Sequence, residues 1–149
     1  MVEAAPGLPA ERERIGLDTN LFIYFFEGHP RYGSWCASLF DLIERGRHPT
    51  VTATVTLLGL LVQPYRDQKE ELAQKTFAVA STYPKIEWVP VIRKLTDRAA
   101  KLCACYRLTT DDPIRLATAI CHKATRFYGN ARSLRRVKEI ECVIVEDVT

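Results

Sequence analysis

The chain has 149 residues, of which 47% are hydrophobic and 26% charged, with a formal net charge of +3. This composition excludes disordered and collagen-like chains, and the length suits one compact domain. Such a domain buries roughly two-thirds of the surface its unfolded chain exposes, so its core needs no disulfide or structural metal. No apolar run approaches about 18 residues, so no membrane span is expected.

Residues 1–14 mix Glu3, Glu11 and Glu13 with Arg12, Arg14 and two prolines. Without the apolar centre of a secretion signal, this stretch reads as a flexible polar tail, and residues 15–149 read as a single domain. A soluble, cytoplasmic protein is expected. Cys36, Cys103, Cys105, Cys121 and Cys142 are odd in number and lack zinc-site spacing, so all five are expected as reduced thiols in or near the core.

Ile15-Gly16-Leu17 is a short apolar strand, followed at once by the helix-starting group Asp18-Thr19-Asn20 and an apolar run to Phe26. Trp35, Leu39, Leu42 and Ile43 recur at helical spacing between Tyr32 and Arg45. Thr50 to Thr54 is β-branched and reads as a strand, and Leu57 to Val62 as a buried helix that Pro64 ends. A helix is expected over 67–82, a strand over 86–89 and a helix over 96–106. Asp112-Pro113 is a helix start leading to about His122. A strand at 126–128, a helical turn at 133–137 and a strand at 142–145 complete the chain. Strands alternating with helices through short connections predict an α/β fold, a mainly parallel central sheet with helices on both faces.

In such sheets ligands bind beyond the carboxyl ends of the strands, near the point where strand order reverses. Asp18 directly follows the first strand, and Asp111 and Asp112 precede a helix that a right-handed chain can bring to the same end. Two converging carboxylates suggest a hard cation and phosphate chemistry. Both aspartates also suit simple helix capping, and the two roles are compatible. The histidines, His29, His48 and His122, lie in turns or near a helix end and read as surface or capping residues, while Trp35 and Trp88 read as core. The stretch 121–138 holds Lys123, Arg126, Arg132, Arg135, Arg136 and Lys138 with no acid, either a polyanion-binding stripe or a solvated face. A receiver-like domain phosphorylated on Asp18 lacks the second early acid and the late lysine it needs.

From Ile15-Gly16-Leu17-Asp18-Thr19-Asn20 onward the sequence resembles a PIN domain, especially the toxin nucleases of VapBC toxin–antitoxin pairs. Thr52-Ala53-Thr54-Val55-Thr56-Leu57-Leu58 resembles the family's second strand and following helix. Leu108-Thr109-Thr110-Asp111-Asp112-Pro113-Ile114-Arg115-Leu116-Ala117-Thr118-Ala119 resembles the segment carrying its third acid. Phe127-Tyr128-Gly129-Asn130 and Val143-Ile144-Val145 fit its last two strands. The resemblance implies a three-layer α/β/α PIN-like domain and a site of three or four acids holding Mg²⁺ or Mn²⁺ for hydrolysis of single-stranded RNA.

Carried over by position, Asp18 and Asp112 are the metal-binding acids, Asn20 and Asn130 orient them or the water, and Thr118 matches a polar position lining the site. The bases Lys123, Arg126, Arg132, Arg135, Arg136 and Lys138 would track the RNA backbone. Two acids are absent: the family's glutamate falls on Gly59, its last aspartate on Ala131, and Gly129 stands where a hydroxyl is usual. Weak or absent activity follows, with metal binding weak or lost. The alternative is a non-catalytic RNA- or protein-binding module. An antitoxin partner and a homodimer are implied by the same resemblance. Glycine inside a helix costs about 1 kcal/mol relative to alanine, so Gly59 marks either a lost acid or a close approach of another backbone.

Overall fold

The computed structural model describes residues 5–108 and 113–149. Among them β1 (Ile15–Leu17), β2 (Thr50–Ala53), β3 (Ile86–Val89), β4 (Arg126–Gly129) and β5 (Glu141–Ile144) form one parallel sheet in the order β3-β2-β1-β4-β5. The chain starts at the centre, builds outward through β2 and β3, then returns to lay β4 and β5 on the other side. Strand order therefore reverses at β1 and β4, and the end of β1 opens into the switch-point crevice.

The helices are α1 (Thr19–Phe26), α2 (Gly33–Glu44), α3 (Val55–Arg66), α4 (Glu70–Ser81), α5 (Arg93–Tyr106), α6 (Ile114–Cys121) and α7 (Val145–Val148). Alternation along the strands sorts the side chains into two cores. Ile15, Leu17, Tyr128 and Val143 pack with Phe22, Trp35, Leu39 and Phe40 of α1 and α2. Phe127 and Ile144 pack with Ala99 and Leu102 of α5 and with Leu116 and Ala119 of α6 on the opposite face. The architecture is thus the expected α/β one.

Gly16 fixes how closely α6 approaches the sheet. A Cβ there would stand 2.5 Å from the Ala119 Cβ and 3.1 Å from the Phe127 ring. With Ala119 seated on Gly16, the residue four positions earlier in α6 lies one helical turn back, about 6 Å along the axis. Two residues along β1 span about the same distance. The close contact at Gly16 therefore sets Arg115 beside Asp18.

Several segments differ from the sequence expectations. The stretch expected as a flexible tail is docked over 5–14: the Trp35 indole N–H donates to the Pro6 carbonyl at 2.8 Å, the Tyr128 hydroxyl to the Gly7 carbonyl at 2.7 Å, and Arg126 to the Leu8 carbonyl at 3.0 Å. These donors lie more than twenty residues away in sequence, which is why composition alone reads the segment as loose. Pro64 lies inside α3 rather than ending it before that point. It sits in the last turn, where its missing N–H forgoes a single helical bond. His48 is buried, with Nδ1 3.2 Å from the Glu13 carbonyl oxygen, rather than lying at the surface. The thiols are free but not uniformly internal: Cys105 and Cys121 are exposed. Burial pushes the Cys36 and Cys142 thiols up to about 12, leaving them protonated and unreactive at neutral pH.

Gly16→Ala is expected to lower unfolding stability by about 1–3 kcal/mol, the usual cost of overpacking. Urea denaturation monitored by tryptophan fluorescence checks this; a midpoint equal to that of the native chain would contradict the close approach.

Candidate functional site

Asp18 is the residue at the carboxyl end of β1 and the N-cap of α1. Its backbone N–H donates to the Tyr128 carbonyl at 2.9 Å, which ties it to β4 across the switch point. Among the described residues its Oδ1 accepts from the Thr19 N–H at 2.8 Å and from Nε–H of Arg115 at 2.7 Å. Asp18 is 5% exposed and Arg115 8% exposed. This is a buried, charge-assisted pair, whose rupture by loss of one partner typically costs about 3–5 kcal/mol. The start of α1 adds a favourable field for the carboxylate.

The surroundings close over this pair. A Cβ on Gly129 would stand 3.3 Å from Asp18 Oδ2 and 2.7 Å from Leu134 Cδ1, so the aspartate side chain lies where a side chain at 129 would be. A Cβ on Gly59 would meet Thr19 Cγ2 at 2.9 Å and Thr19 Oγ1 at 3.0 Å. The helix glycine thus has a packing role: it lets α3 approach α1, against the Thr19 side chain rather than another backbone. Among the described residues the buried Thr19 hydroxyl has no hydrogen-bond partner.

Asn20 and Asn130 meet at a third residue. The Tyr24 hydroxyl accepts from Asn130 Nδ2 at 3.0 Å and from Asn20 Nδ2 at 3.4 Å. Asn130 Oδ1 accepts the Glu146 N–H at 2.9 Å and so anchors the start of α7. The two amides therefore hold each other and the backbone, through Tyr24, which sequence reasoning missed. The Thr118 hydroxyl is turned inward to the Ile114 carbonyl at 2.7 Å and is fully buried. Asp111 and Asp112 lie outside the described residues.

The bases of 121–138 are divided and largely engaged. Arg126 opens β4 at the amino end of the sheet, paired with Glu13 at 3.2 Å and Glu141 at 3.3 Å. Lys123 precedes the same end and is exposed. Beyond the carboxyl end, Arg135 pairs with Asp147, Arg132 lies 3.8 Å from Glu146, and Arg136 donates to the Arg107 carbonyl at 2.8 Å. Lys138 is exposed in the return to β5. The segment does not form one continuous basic face.

The donor set does not fit a divalent ion among the described residues. No group of three or more His, Cys, Asp or Glu side chains is assembled there, and Oδ1 of Asp18 is already bonded to a buried cation. Arg115 is, with Tyr24, a residue that sequence reasoning overlooked. Its signal was a lone charge in the otherwise apolar Ile114-Arg115-Leu116-Ala117, four residues before the alanine that meets Gly16.

The sequence profile of the PIN domain matches residues 15–140. No curated protein sequence matches the chain. Among solved structures, VapBC2 from Rickettsia felis bound to a promoter DNA fragment is similar with a TM-score of 0.67 and 16% identity, over 87% of this chain and 97% of that one. A toxin–antitoxin complex from Klebsiella pneumoniae aligns with a TM-score of 0.61 and 17% identity, over 89% and 97% of the two chains. FitAB bound to the IR36 DNA fragment gives 0.65 and 15% over 88% and 94%.

Proposed function

Because the chain belongs to the PIN domain family, we propose that it is a toxin-like member related to Mg²⁺/Mn²⁺-dependent single-strand endoribonucleases, with cleavage weak or absent and protein binding as its working role. The observation that carries this reading is the buried Asp18–Arg115 pair, which commits the family's first acid to an internal partner. Gly59 and Ala131, at the positions of two further acids, support it. A two-ion clamp on attacking and leaving oxygens needs more carboxylates than this.

Of the two binding roles, protein is favoured over RNA. Leu58, Leu61, Val62 and Tyr65 of α3 follow the i, i+3, i+4, i+7 spacing and line one shallow apolar hollow with Arg66. Leu58 is 61% exposed and Tyr65 53%. Leu60 points the other way, into the core, so α3 carries a second apolar stripe that the fold itself does not cover. One helix stripe packing on its symmetry mate makes a self-complementary contact, and a second copy of this chain is the proposed occupant. An antitoxin-type protein is a further partner, supported by the likeness to the Klebsiella toxin–antitoxin complex. RNA is supported less, because Arg126, Arg135 and Arg136 already have internal partners.

Single-turnover cleavage of a mixed single-stranded RNA in Mn²⁺ tests the first part. The native chain is expected to cleave at, or only slightly above, the background set by Asp18→Asn; efficient metal-dependent cleavage lost in Asp18→Asn would contradict the reading. Sedimentation tests the second. The native chain is expected as a dimer, and Leu58→Glu with Tyr65→Glu as a folded monomer. A native chain that is monomeric at high concentration would remove the second copy from the account.

A further inference from the structure

We propose that the Arg115 guanidinium acts as a built-in cation that excludes divalent metal from Asp18, so that the carboxylate is a masked metal ligand rather than a lost one. The inference rests on reading Asp18 as the family's first acid. Oδ1 of a carboxylate has two lone-pair directions, and here both are used, by the Thr19 N–H and by Arg115 Nε–H. A metal at that oxygen would have to displace one of them. It would also stand within a few ångströms of a fixed positive charge, in surroundings where both partners are at least nine-tenths removed from solvent.

The mask is fastened from behind. Ala119 sits on Gly16, and this contact sets the register of α6 against β1 that carries Arg115 to the aspartate. A neutral side chain in its place lifts the mask. Arg115→Leu leaves a buried carboxylate without this guanidinium, and such a group is stabilised by any small cation that reaches it.

The test is Mn²⁺ binding, read from the electron paramagnetic resonance of the free ion, in the native chain, Arg115→Leu, and Arg115→Leu with Asp18→Asn. Affinity is expected to rise by at least about tenfold in Arg115→Leu and to fall back in the double variant. Equal affinity in the native chain and Arg115→Leu, or a gain that survives Asp18→Asn, would overturn the inference. Should Arg115→Leu fail to fold, the native chain decides: its Arg115 Nε–H nuclear magnetic resonance is expected to exchange slowly and to persist in millimolar Mn²⁺, whereas selective broadening of that signal would overturn the proposal. The two readings fail separately. RNA cleavage by the native chain together with a gain in Mn²⁺ affinity on Arg115→Leu overturns the functional reading alone; no cleavage and no gain overturns this inference alone.

Discussion

The contact between the Asp18 carboxylate and the Arg115 guanidinium determines what the crevice at the end of β1 can do. A carboxylate at the switch point of a parallel sheet is well placed to meet a ligand, because the strand ends and the start of α1 converge there. In this chain the first cation it meets is its own. The pair depends on a contact with no polarity at all, the seating of Ala119 on Gly16, which places one turn of α6 against two residues of β1.

The same pattern extends around the crevice. Asn20 and Asn130 share the Tyr24 hydroxyl, Asn130 also anchors α7, and the Thr118 hydroxyl turns back into its own helix. These polar groups, which the sequence resemblance marks as candidates for the site, bond to one another or to the backbone. Gly59 and Gly129 are filled by Thr19 and by Asp18 with Leu134, so the places of the missing side chains are occupied. Among the groups the fold leaves uncovered is the outward apolar stripe of α3 from Leu58 to Tyr65. These two features support the proposed role in partner binding over hydrolysis.

Much of the framework was legible in the chain. Apolar alternation at Ile15-Gly16-Leu17 and Ile86 to Val89 marked strands, and Asp18-Thr19-Asn20 marked both a helix start and the acid at a strand end. These signals are local. The parts that escaped are set by partners distant in sequence. Arg115 is 97 residues from Asp18, so the apolar run around it signals a buried charge without disclosing which acid it meets. The docking of 5–14 depends on Trp35, Arg126 and Tyr128, and the basic run from Lys123 to Lys138 loses its continuity because β4 carries Arg126 to the opposite end of the sheet from Asp18. Gly59 reads in the sequence as either a lost acid or a close approach of another backbone, and only the position of Thr19 shows the contact to be with a side chain.

The most direct measurement is a crystal structure of the native chain grown in Mn²⁺, with data collected for anomalous scattering. The account predicts Arg115 Nε seated on Asp18 Oδ1 with no anomalous density at that oxygen. An ion bound to Asp18 with the guanidinium swung aside would contradict it.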